Sequence, residues 1–95
     1  MPAYAIVNID IIDPKAYEAY RSRSLAAVQE FGGRFIVRGG NWEVKEGDWK
    51  PKRIIVLEFP DIDTARRWYD SDAYQSIIPY RSGCAKTDMV LVEGL

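Results

Sequence analysis

The nine-residue stretch GGRFIVRGG (residues 32–40) decides the fold. Its first two glycines predict the end of a helix, because glycine adopts the left-handed cap without a Cβ penalty. The residues between the glycine pairs alternate as in a strand, with Arg34, Ile36 and Arg38 on one face. The closing glycine pair interrupts this strand, which indicates a bulge or a close approach of the backbone to another group.

The residues before this stretch predict a strand and then the helix that the glycines end. Tyr4–Ile11 alternates with period two and is rich in β-branched residues. Asp13 and Pro14 then open a helix, since aspartate caps free amides and proline suits the first turn. One side of that helix carries residues at spacings of three and four: Tyr17, Tyr20, Ser24, Ala27, Val28 and Phe31.

The residues after it predict two more strands and two short helices. We expect Trp42–Val44 to resume the second strand, and Arg53–Phe59 to form the third. Asp61 is the expected cap of one helix and Ser71 the expected cap of the next. The last strand is predicted over Lys86–Glu93.

This order is β-α-β-β-α-β, so we predict an α+β, ferredoxin-like fold. Residues 1–95 form one such domain, with a four-stranded antiparallel sheet and both helices on one face. The uncovered face should then be polar. Instead, apolar residues occupy both faces of the third and fourth strands, as in Ile54 and Val56 against Ile55 and Leu57.

The second apolar face predicts a homodimer in which two sheets pack face to face. The alternative is a monomer in which sheet twist and a covering loop hide the same residues. Trp42 and Trp49, which flank the expected hairpin turn, fit dimer contacts better than a ligand site.

Composition excludes several classes of function. The chain has no histidine, a single cysteine (Cys84) and a net charge of −1. Histidine-based catalysis and cysteine-cluster metal sites are therefore excluded, and we expect no metal and no cofactor. The charge balance offers no surface for nucleic acid, and no apolar run suits a membrane. A free thiol without a visible targeting segment fits the cytoplasm.

Several short motifs make the whole chain resemble the family known as domain of unknown function 1330. They are GGRFIVRGG, Glu46-Gly47, Arg53, Glu58-Phe59-Pro60, Ala65, Trp68-Tyr69-x-Ser71-x-x-Tyr74, Arg81 and Glu93-Gly94. The resemblance implies the dimeric α/β-barrel superfamily, which also holds cofactor-free monooxygenases and isomerases. The family has no assigned activity, and this chain lacks the histidine that many superfamily members place in the pocket.

The residues suggest a pocket between the sheet and the helices. Arg38 suits a carboxylate or an enolate, and Glu58, which interrupts an apolar strand, is the candidate general base. The alternative is that these two side chains form an internal ion pair. With Tyr20 and Tyr69 they are expected to line one cavity, provided that both strand residues point towards the helices.

Three functions remain open at this stage. The first is a homodimer that binds a small carboxylate-bearing or aromatic metabolite, with seven candidate ligand residues: Tyr20, Arg38, Gly39, Gly40, Tyr69, Tyr74 and Arg81. The second, the alternative to it, is a cofactor-independent monooxygenase, isomerase or lyase, with Glu58 as base and Arg38 as oxyanion clamp. The third is a purely structural dimer. Arg53 and Arg81 also fit ordinary surface charges.

Overall fold

The computed structural model describes all 95 residues and confirms the predicted order of elements. The strands are β1 (Ala3–Ile11), β2 (Arg34–Arg38), β3 (Ile54–Phe59) and β4 (Ala85–Glu93). The helices are α1 (Pro14–Glu30), α2 (Ile62–Asp70) and α3 (Asp72–Gln75), followed by a 3₁₀ turn over Ile78–Tyr80. The fold is α+β and ferredoxin-like, as the sequence predicts.

The four strands form one antiparallel sheet in the order β2-β3-β1-β4. Its inner face packs on the helices, and in β1 it carries Ala3, Ala5, Val7 and Ile9, all buried. Residues directly opposite one another in antiparallel strands share a face. Leu57, which pairs with Ala5, is therefore also on the inner face.

Short polar side chains cap the helices as expected. Asp13 accepts a hydrogen bond from the Ala16 amide at the start of α1. Asp61 does the same with Thr64 at the start of α2, at 2.7 Å, and this bond lowers the pKa of the Asp61 carboxyl. Ser71 ends α2 and caps α3. Two successive helices are thus held together by a single serine.

One extra residue in β2 changes which side chains face the helices. Arg34 pairs with Glu58 and Phe35 with Leu57, but the next pairs are Val37 with Val56 and Arg38 with Ile55. Ile36 is the additional residue of a bulge, so the alternation predicted for β2 is wrong after Phe35. Arg34 lies on the outer face and Arg38 on the inner face.

The connection between β2 and β3 is a long loop rather than a resumed strand. The expectation of a strand at Trp42–Val44 is wrong, since residues 40–53 contain no regular element. The Trp42 indole donates to the Lys52 carbonyl, and the Lys52 amide donates to Oδ1 of Asn8, on the outer face of β1. These bonds hold the returning half of the loop against the sheet.

Gly33 allows α1 and β3 to approach closely. A methyl group at this position would lie 2.6 Å from the Phe59 ring and 2.9 Å from a Val28 methyl.

We predict that Gly33→Ala lowers the free energy of unfolding by about 1–3 kcal/mol, the usual range for overpacking a core. Gly40→Ala is the control, because no atom lies within 4 Å of its Cβ position. Urea unfolding measures both, and equal stability of the two variants would contradict this packing argument.

Candidate ligand-binding site

A cavity of about 40 Å³ lies between the inner face of the sheet and helix α1. Its apolar wall includes Val7, Ile9 and Leu57 from the sheet and Trp68 from α2. Its polar lining comes from α1, β2, α3, β4 and the end of the long loop: Tyr17, Tyr20, Arg21, Ser24, Arg38, Arg53, Tyr74 and Thr87. Every charged residue in this lining is an arginine.

Two tyrosines and an arginine form a closed hydrogen-bonded network at one wall. The hydroxyls of Tyr20 and Tyr74 lie 2.7 Å apart, and one Nη of Arg81 donates to both, at 3.1 Å and 2.6 Å. Tyr20 belongs to α1, Tyr74 to α3, and Arg81 to the turn that follows the 3₁₀ segment. The network therefore fixes three separate segments around the cavity.

The phenols of Tyr17 and Tyr74 stay neutral and the guanidinium of Arg81 stays charged, for different physical reasons. Desolvation raises the pKa of Tyr74, and it raises the pKa of Tyr17 to about 12. Burial alone would lower the pKa of Arg81, but its interactions with Tyr74 and Tyr20 outweigh that effect and raise it. The neutral hydroxyl of Tyr74 therefore lies beside the charged guanidinium of Arg81.

Arg53 is held at the cavity by the backbone of Gly39. Gly39 adopts a φ of 71°, in the left-handed region, and a Cβ there would overlap the Arg53 guanidinium. The Arg53 carbonyl also accepts a hydrogen bond from the Ile9 amide at 2.9 Å. Glycine is thus needed at position 39 for both conformation and close approach.

Arg38 and Arg53 have no acidic partner. The four ion pairs of the chain involve other cations: Arg21, Arg34, Lys45 and Arg66. The guanidinium of Arg38 instead lies 4.5 Å from the centre of the Phe35 ring. Two guanidiniums that line one cavity without a carboxylate leave their charge available to a bound anion.

Two buried polar atoms of the lining residues also lack a partner. Nε1 of Trp68 and Oγ1 of Thr87 are inaccessible to solvent and make no hydrogen bond. Trp68 is 1% exposed, so its indole N–H cannot turn to solvent. An unpaired buried donor is unfavourable by about 1–3 kcal/mol, and such exceptions are uncommon in folded proteins.

The structure separates Glu58 from the pocket residues predicted with it. Glu58 lies on the outer face, where Oε1 accepts from Nη2 of Arg34 at 2.7 Å. The predicted Arg38–Glu58 pair is therefore wrong, because the β2 bulge puts the two side chains on opposite faces. As a result, no carboxylate lines the cavity.

The other predicted site residues divide between the cavity and its surroundings. Tyr20, Arg38 and Tyr74 line the cavity, and Arg81 reaches it through the hydroxyl network. Tyr69 packs on Trp68 and Tyr74 without lining the cavity, so the expectation that it shares the cavity with Tyr20 is wrong. Gly39 supports Arg53 rather than capping the space, and nothing packs near Gly40.

Sequence reasoning missed the contributions of Tyr17, Arg53 and Trp68. The helical spacing of Tyr17 and Trp68 is typical of core residues, and both are buried in the structure. Arg53 precedes a strand, where most arginines are solvated. The glycine pair that follows Arg38 was the available signal for a close approach, but it does not identify the approaching group.

The family model for the domain of unknown function DUF1330 matches residues 2–95. The chain belongs to this family. No curated protein matches this DUF1330 chain in sequence. Its resemblance to the solved structures is one of fold, because their identities to this chain are 13–16%.

Three solved structures are similar to this DUF1330 chain. A protein of unknown function from Rhodopseudomonas palustris superposes with a TM-score of 0.76 at 16% identity, covering 99% of this chain and 82% of that one. A dimeric ferredoxin-like protein of unknown function from Jannaschia sp. CCS1 gives 0.67 at 13% identity, with 99% and 100% covered. SnoaB, a cofactor-independent oxygenase from Streptomyces nogalater, gives 0.66 at 13%, with 99% and 93% covered.

The raised pKa of Tyr17 predicts a loss of stability in alkali. The phenol has an ordinary pKa of 10.0 when unfolded and about 12 when folded. Between these values the unfolded chain releases a proton that the folded chain keeps, so the free energy of unfolding falls as pH rises through this window. Below pH 10.0, Tyr17 makes its full contribution to the free energy of unfolding.

Tyr17→Phe should make this alkaline loss of stability smaller. Urea unfolding of both proteins at neutral pH and at a pH between the two pKa values gives the comparison. The phenylalanine variant keeps the ring packing and removes only the titrating hydroxyl. An equal fall in stability for both proteins would show that Tyr17 is not the group responsible.

Proposed function

We propose that this protein binds a small carboxylate-bearing metabolite in the cavity between its sheet and its helices. The observation that carries this proposal is the pair of unpartnered guanidiniums, Arg38 and Arg53, on a cavity that no carboxylate lines. A planar guanidinium fork matches a carboxylate with two parallel hydrogen bonds. The apolar and aromatic walls suit the rest of a small organic molecule.

The size of the cavity limits what it can enclose. About 40 Å³ is far less than the space of roughly 300–1,000 Å³ in typical ligand pockets. Arg38 and Arg21 are exposed, and their long side chains can move at the rim. A ligand larger than a few atoms therefore enters only when these two side chains move aside.

The enzymatic alternative required Glu58 as general base, and Glu58 does not line the cavity. Glu58 lies on the far side of the sheet, and the titratable groups around the cavity are tyrosines and arginines. SnoaB is a cofactor-independent oxygenase of similar fold, but at 13% identity that likeness extends to the fold alone. Ligand binding requires only the groups that line the cavity, so it is the function we propose.

We also propose that the protein acts as a homodimer through the outer face of its sheet. That face carries an apolar patch formed by Ile6, Val37, Ile54, Val56, Val90 and Val92. Val90 is 59% exposed and Val92 is 42% exposed in the single chain. The similar protein from Jannaschia is a dimeric ferredoxin-like protein, which fits this arrangement.

A surface of this kind is normally covered in a stable protein. None of the helices combines the length and the apolar character that a membrane span requires. A second copy of the same sheet supplies a matching apolar surface under twofold symmetry. The cytoplasmic location expected from the sequence stays a prediction.

Arg38→Met should weaken the binding of benzoate, used as a carboxylate probe. Loss of one charge-assisted contact, about 1.5–3 kcal/mol, corresponds to a Kd roughly ten- to a hundredfold higher. Thermal stability should change little, because Arg38 is exposed and has no ionic partner in the protein. Isothermal titration calorimetry measures the affinity.

Arg66→Met is the matched control for this experiment. Arg66 is an exposed arginine on α2, paired with Asp63 and remote from the cavity lining. Its replacement should leave benzoate affinity unchanged. If both variants bind benzoate as the natural chain does, Arg38 does not hold the carboxylate.

Val90→Asp should convert the dimer into a folded monomer. The side chain lies on the outer face and is largely exposed in the single chain, so an aspartate there stays hydrated unless a partner covers it. Sedimentation should give twice 10.9 kDa for the natural chain and 10.9 kDa for the variant, with unchanged helical circular dichroism.

Leu57→Asp tests the opposite face. Leu57 is 3% exposed and packs in the core, where an unpaired charge is unfavourable by several kcal/mol. This variant should lose its fold rather than only its association. A natural chain that sediments as a monomer at micromolar concentration would contradict the proposed dimer.

A further inference from the structure

The positive charge around the cavity has a consequence for ligands that are weak acids. Four arginines surround this space: Arg21 from α1, Arg38 from β2, Arg53 from the end of the loop, and Arg81 beyond the hydroxyl network. Arg21 is paired with Glu18 of the same helix at 3.6 Å, so the unpaired charge in the lining comes from Arg38 and Arg53. The chain as a whole has a net charge of −1. The cation excess is therefore a local property of the site.

No lining group offsets this excess. β1 contributes only apolar side chains, and β4 contributes Thr87 and Met89. α1 contributes Tyr17, Tyr20 and Ser24 besides Arg21, and α3 contributes Tyr74. The pKa values of Tyr17 and Tyr74 are raised, so these two phenols stay neutral. The only formal charges facing a ligand from the elements packed around it are positive.

We propose that the cavity binds the deprotonated form of a weakly acidic phenol or enol in preference to its neutral form, and thereby lowers the pKa of the bound ligand. This inference rests on the proposed function, since it uses the same cavity, and it names a second chemical class that the site takes. Nearby opposite charges favour the ionised form of an acid by electrostatic attraction.

The ionisation that the site promotes needs no general base. The O–H bond of the ligand breaks, the electron pair stays on its oxygen, and the proton passes to bulk water through the exposed rim. A chain without histidine, and without a carboxylate in the cavity, has no group there that accepts a proton near neutral pH. It can only stabilise the anion once formed, which is what the lining guanidiniums can do.

The affinity ratio of the two ligand forms sets the size of the effect. A phenolate that binds about tenfold more tightly than its phenol has a pKa lowered by about one unit when bound. 4-Nitrophenol is a suitable probe, because its phenolate absorbs visible light and the phenol does not. Titration of the probe with pH, alone and with excess protein, gives the shift directly.

Two further probes separate this inference from the proposed function. 4-Nitrobenzoate is ionised throughout the titration and reports carboxylate binding alone. 4-Nitroanisole is the neutral analogue that cannot ionise, and it should bind at least tenfold more weakly than 4-nitrophenolate. Binding of 4-nitrobenzoate with an unshifted 4-nitrophenol pKa would overturn the inference and leave the proposed function in place. Failure of both anions to bind would overturn both.

Two variants locate the source of the shift. Arg38→Met and Arg53→Met should each reduce the fall in the pKa of the bound probe, whereas Arg66→Met should leave it intact. Arg53 packs on Gly39, so circular dichroism must first confirm that its variant is folded. Arg38 is exposed, so its variant should fold and can be measured even if the Arg53 variant does not fold. A full pKa shift of the probe bound to the Arg38 variant would overturn the assignment of the shift to Arg38.

Discussion

The pairing of β2 with β3 shifts by one residue between Phe35 and Val37, and the chemistry of the cavity depends on that shift. Before it, Arg34 projects to the outer face and meets Glu58. After it, Arg38 projects to the inner face, where no carboxylate faces it. A regular strand would have put both arginines on the outer face and left the mouth of the cavity without one of its cations.

Other groups that line the cavity, besides Arg38, also lack a partner in the protein. Arg53 reaches the same space because Gly39, adjacent to Arg38, lets a guanidinium pack on its backbone. Trp68 and Thr87 each have a buried polar atom without a partner among the same lining residues. Groups of this kind favour the folded state only when something else pairs with them. The cavity lining thus contains cations and polar atoms without a partner in the protein, whereas the hydroxyls of Tyr20 and Tyr74 beside it are hydrogen-bonded to each other and to Arg81.

The fold could be predicted from the sequence because its signals are redundant. Period-two runs, the caps at Asp13, Asp61 and Ser71, and the glycines after α1 all favour the same order of elements. The face of a strand residue has no such redundancy, because one inserted residue reverses it. The glycine pair after β2 predicted an irregularity there, but the bulge lies earlier, at Ile36, where no glycine marks it. The bulge moves Arg38 to the inner face, while Glu58 stays on the outer face by the regular alternation of β3, so the two residues expected to share a pocket are separated.

The loop that joins β2 to β3 contacts both sides of the sheet. Lys52 is hydrogen-bonded to Asn8 on the outer face, and the next residue, Arg53, lines the inner cavity. Only one peptide bond separates the residue fixed by the outer face from the residue that faces a ligand. A partner that orders this loop on one side of the sheet also restricts Arg53 on the other. Thermodynamic linkage makes any such effect reciprocal, so occupancy of the cavity and association of the sheets would be coupled equilibria.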